Sequence, residues 1–152
     1  MSQVGSNVVK ASLKETLKKL NLGGWAMAVF FLGLPILDIL RRLSLQRKEW
    51  DKQLAAAKKT CRSYPDFEQR QVCLHKAMET WAKNMVRAYQ QEVALLKQAY
   101  GKCPADKKSA KKHLWKQLQK HEKKLAYYKR LASALANPNS SVSGAFDYAK
   151  NP

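Results

Sequence analysis

"WAMAVFFLGLPILDILRR", Trp25 to Arg42, is the one long apolar run in a 152-residue chain whose net charge is +18. Residues Gly23 to Leu40 make 18 positions, about 27 Å of helix against a hydrocarbon core of about 30 Å. Lys18 and Lys19 stand before the run and Arg41 and Arg42 after it, and Trp25 occupies an edge, where interfacial aromatics concentrate. Pro35 is tolerable in a membrane helix when a neighbour or water satisfies the freed carbonyl. Asp38 would cost about 3 kcal/mol at mid-bilayer. It precedes Arg41 and Arg42 by three and four residues, however, which puts it near the interface with partners along the helix. The expectation is a single transmembrane helix over residues 23–42, with Pro35 and Asp38 turned toward a neighbouring subunit. The alternatives are a helix buried by protein and an interfacial segment. A cleaved secretory signal is disfavoured, because the preceding polar segment is too long and no small-residue cleavage site follows.

Outward from this run, residues 1–22 read as an amphipathic segment. Ser12 and Glu15 have capping-box spacing, Leu13, Leu17 and Leu20 share a face, and Gly23-Gly24 closes the helix. Its lysines and single acid also fit a mitochondrial presequence, although an uncleaved helix lying in the membrane interface fits better.

Beyond the run, residues 43–136 read as a basic helical hairpin or three-helix arrangement, and no stretch reads as a strand. Leu43, Trp50, Leu54, Ala57 and Cys61 alternate spacings of three and four. Pro65 then suits the first turn of a helix over about 66–100, whose seam is Leu74, Met78, Trp81, Met85, Ala88, Leu95 and Ala99, with Glu92 the polar intruder. Gly101 and Pro104 end it. A last helix over about 104–136 places Leu114, Leu118, His121, Leu125, Tyr128, Ala132 and Leu135 on one side. The short connections force antiparallel neighbours. Residues 137–152 show no periodicity and read as an irregular tail.

The charge is uneven: four lysines face one glutamate before Gly23, and 25 Lys/Arg face nine Asp/Glu after Leu40. Such an excess implies a polyanionic neighbour: RNA, anionic lipid or an acidic protein surface. Lys108, Lys112, Lys116, Lys120 and Lys124 recur every fourth residue, each step turning only about 40° round a helix. They make one broad basic face, suited to phosphates of lipid headgroups or RNA, and its lysine content favours charge complementarity over base reading. Trp115, Tyr127 and Tyr128 interleave with it and either stack on bases or pack on neighbouring helices, packing being the commoner use.

Three cysteines, Cys61, Cys73 and Cys103, match no zinc spacing. Only Cys61 and Cys73 flank a turn that lets them meet. Two half-buried thiols is the plainer expectation; a bridge would mark an oxidising compartment. Basic residues flanking the apolar run place the C-terminal region on the cytosolic or matrix side, which conflicts with a bridge. His75, His113 and His121 lack partners at metal-ligand spacing, and no nucleophile triad, zincin motif or phosphate-binding glycine loop is present. The expected function is therefore non-catalytic, without metal or cofactor: an accessory subunit of a large complex in an energy-transducing membrane of the mitochondrial inner-membrane type. Its partners would be other subunits and anionic lipid such as cardiolipin. A nucleic-acid-associated protein of ribosomal accessory type is the alternative.

Overall fold

The computed structural model describes residues 23–152. The amphipathic segment expected over 1–22 lies outside the described residues. Every regular element among them is helical: a 3-10 turn at Gly23–Trp25, then α1 Ala26–Leu32, α2 Pro35–Arg62, α3 Phe67–Lys102, α4 Lys108–Ala136 and α5 Val142–Lys150.

The apolar run is two helices, not one. Gly33 adopts φ +92°, a conformation that L side chains rarely take, and its N–H closes α1 on the Val29 carbonyl at 2.8 Å. Pro35 then opens α2, at the helix position where a missing N–H costs nothing. This corrects the expected 23–42 span. The apolar helix before the break has seven residues, and α2 acquires Asp38, Arg41 and Arg42 within its first two turns. No helix among the described residues is long and apolar enough to cross a membrane. Pro35 and Asp38 are both exposed.

The turn from α2 to α3 is built from local polar contacts. The Asp66 carboxylate accepts from the Glu68 N–H at 3.2 Å, and Arg70 Nη1 donates to the Tyr64 and Pro65 carbonyls at 2.9 and 3.0 Å. The antiparallel return brings Cys61 and Cys73 to a Cα separation of 5.4 Å, and the two are joined by a disulfide rather than left as thiols. Cys103 is free and buried. It ends the segment after α3, where its N–H bonds the Ala99 carbonyl at 3.0 Å. Pro104 leads a turn, so α4 begins at Lys108 and not at the proline.

The expected irregular tail is also corrected. Ser141 caps α5 by accepting from the Gly144 N–H at 2.9 Å, and Ala145 and Ala149 are buried along one side of that helix.

The chain divides into two compact units. The first combines the described residues up to Leu45 with Ala94–Gln119. Its buried positions include Trp25, Val29, Leu40, Leu96 and Leu114. Gly24 lies where a Cβ would stand 3.5 Å from the Gln117 side chain, so the start of the apolar run lies close against α4. The second combines Gln46–Val93 with Lys120–Pro152. Its core joins Met78 and Ala82 of α3, Leu131 and Leu135 of α4, and Ala145 and Ala149 of α5, with Leu54, Trp81, Tyr128 and Phe146 packed around them. Fully burying side chains of this kind contributes about 1.5–3 kcal/mol for each large one.

Candidate anion-binding face

Helix α4 divides its side chains by function. Leu114, Leu118, Leu131 and Leu135 are buried, the last two and Leu114 completely. Lys108, Lys112, Lys116, Lys120 and Lys124 are all exposed. Leucine is a strong helix former and lysine tolerates water, so the alternation at helical spacing both forms the helix and orients it. The five ammonium groups stand on successive turns, and the row contains no carboxylate.

Two cations that adjoin the row in sequence are employed elsewhere. Lys111 is half-buried; its Nζ donates to the Cys103 carbonyl at 3.3 Å and lies 4.6 Å from the centre of the Tyr100 ring. It fastens the α3–α4 turn. Arg130, at the C-terminal end of the row, donates Nε and Nη2 to the Ala149 carbonyl at 3.0 and 2.8 Å. It satisfies an end carbonyl of α5 and stabilises that helix end by its charge.

The three aromatic side chains also separate. Tyr128 stacks on Tyr89 at 5.3 Å and meets Trp81 and Tyr127 edge-on, so it belongs to the second unit's packing. Burial pushes the Tyr89 hydroxyl above its ordinary pKa and the Tyr128 hydroxyl to about 12, with Tyr89 and Tyr127 adding to the latter shift. Both are uncharged at neutral pH. Trp115 differs: it leans on Tyr100 at 5.6 Å yet keeps 49% of its surface exposed, between Lys112 and Lys116.

The polar intruder of the α3 seam has an account that sequence spacing did not supply. Glu92 is 1% exposed, its Oε1 is paired with Arg47 of α2, and its Oε2 lies 3.4 Å from His121 Nε2 of α4. The Arg47 guanidinium also lies 4.6 Å from the Tyr89 ring centre, a cation–π contact. These groups cross-link the three long helices inside the second unit.

No family model matches this chain, and no curated protein or solved structure is detectably similar to it.

His75 and His113 do not join this cluster. Among the described residues no group of three or more His, Cys, Asp or Glu side chains is placed to hold a metal ion. What the α4 row can do chemically is hold phosphates. Lysine ammonium groups on a solvated helix act as mobile point charges, without the planar fork needed for base-specific contacts.

Proposed function

We propose that this protein is a non-catalytic accessory component of a membrane assembly, and that it docks on anionic lipid phosphates through the outward lysine row of α4. The observation that carries this reading is that Lys108, Lys112, Lys116, Lys120 and Lys124 are all exposed on the helix whose Leu114, Leu118, Leu131 and Leu135 are buried. Each lysine brought to an anionic surface contributes about 1 kcal/mol, which decays over a Debye length of about 8 Å at physiological salt. The Cys61–Cys73 bridge supports an oxidising side of the membrane, against the sidedness inferred from the flanking basic residues. An energy-transducing membrane of the mitochondrial inner-membrane type, rich in cardiolipin, supplies both conditions on its outward face. Other subunits of the assembly would be the protein partners.

The test is co-sedimentation with vesicles of neutral phosphatidylcholine, with and without about a third cardiolipin, across a salt titration. The expected outcome is binding only to the cardiolipin vesicles, weakening steeply with salt and abolished by Lys112→Glu/Lys116→Glu/Lys120→Glu. Equal binding to neutral vesicles, or indifference to the charge reversals, overturns the reading.

A second reading has its own observation. The half-exposed Trp115 among lysines is the arrangement that stacks on an unpaired base. Salt-sensitive binding of single-stranded RNA that is lost in Trp115→Ala would favour a nucleic-acid partner.

A further inference from the structure

The first unit exposes two large apolar side chains at the break in the apolar run. Leu34 is 63% exposed and Phe30 55%, on either side of Gly33. The Phe30 ring is held edge-on to Phe31 at 5.1 Å, so it presents a defined surface. Along the outward side of α2, Leu34, Asp38, Arg41 and Leu45 follow helical spacings of four, three and four, while Ile36, Leu40 and Leu43 are buried. Arg41 stands about 10 Å of helix rise beyond Leu34.

We propose that the Phe30–Leu34 corner enters an anionic bilayer, its side chains at the acyl boundary and Arg41 and Arg42 at the phosphate level. The proposal rests on the membrane reading above and adds which residues leave water. Leu34 and Arg41 lie on the same outward side of α2, so the apolar tip and the first cation reach one surface together. Charge complementarity selects the occupant: the cations that follow the tip would be wasted on an uncharged apolar partner, and phosphates satisfy them. Asp38, one turn before both arginines, then lies in the headgroup layer beside positive charge, not in hydrocarbon.

Depth is read directly by a fluorophore. On a Cys103→Ser background, whose disulfide is intact, Leu34→Cys is labelled with an environment-sensitive NBD dye, and Gln69→Cys in the second unit serves as control. The vesicles are phosphatidylcholine with about a third cardiolipin or phosphatidylglycerol. A blue shift at position 34, quenched by shallow lipid nitroxides, with no change at position 69, is the expected result. Phe30→Ser/Leu34→Ser should weaken vesicle binding about 30-fold with unchanged helicity. Binding of the unmodified protein with no change in the dye at 34 overturns the insertion and leaves the lysine-row reading standing. Failure of the unmodified protein to sediment with anionic vesicles overturns both, as does binding to RNA alone.

Discussion

Removing the Cys61–Cys73 bridge isolates one contribution whose size follows from chain statistics. The bond closes a loop with a sequence separation of 12. Loop-closure entropy for a loop of this length amounts to about 3 kcal/mol of lost stability when the bond is opened. With a urea slope of about 2 kcal/mol per molar, the unfolding midpoint should fall by about 1.5 M. In a thermal scan the same loss should lower the melting temperature by roughly 6–12 °C. The assay is urea unfolding followed by far-UV circular dichroism, with the oxidised protein beside the reduced protein and Cys61→Ser/Cys73→Ser. Alkylation under denaturing conditions should count one thiol before reduction, Cys103, and three after. A midpoint shift below about 0.5 M with all three thiols alkylated would refute the reasoning. The unfolded chain would then retain enough turn structure around residues 61–73 for the bridge to add little.

Other perturbations test the polar core and the break. Glu92→Ala should destabilise by about 2–4 kcal/mol in urea unfolding, because it removes the buried carboxylate that Arg47 and His121 share; a change under 1 kcal/mol would mean the pair is replaced by water without loss. Gly33→Ala should cost about 1–3 kcal/mol through its positive φ alone, since the added Cβ would meet only Pro35 Cδ at an ordinary 3.6 Å. An unchanged midpoint in that variant would show that the backbone relaxes into one continuous helix. Tyr128 sets an alkaline limit. Its folded pKa of about 12 exceeds the unfolded value near 10, so the folded state retains a proton the unfolded state gives up. That contribution is complete below pH 10 and is lost as the pH rises through 12. The stability decline over this window, measured by urea midpoints, should flatten in Tyr128→Phe.

The three long helices are legible because their punctuation is chemical: Pro65 with Asp66 at one turn and Pro104 at the other, whereas Gly101 does not stop α3, which runs on to Lys102. The seam of α3 was legible only in part. A heptad register places one neighbour, whereas in the second unit α3 packs against both α2 and α4, so Ala82 and Tyr89 are buried beside Met78 and Met85. The break in the apolar run is hidden from hydropathy, which cannot see φ: Pro35 carries the visible signal while Gly33 makes the bend. Helix α5 escaped notice because its buried contacts are two alanines four apart, too small to raise a periodic signal. The role of Arg130 is hidden from sequence spacing because its carbonyl partner lies 19 residues away in a segment that reads as irregular.

The spacing of the lysine row has a geometric result of its own. Four residues overshoot a helical turn by about 40°, so from Lys108 to Lys124 the row climbs about 24 Å while sweeping about 160° around the axis. A plane tangent to the helix reaches about three of its five ammonium groups. The valence sensed by a flat sheet of charge is therefore smaller than the number of lysines present, whereas a deformable sheet that wraps the helix recruits the rest. On the proposed reading, avidity of this face would grow with the pliancy of what it touches, and an assembly built on it would sort between stiff and yielding anionic surfaces of identical composition.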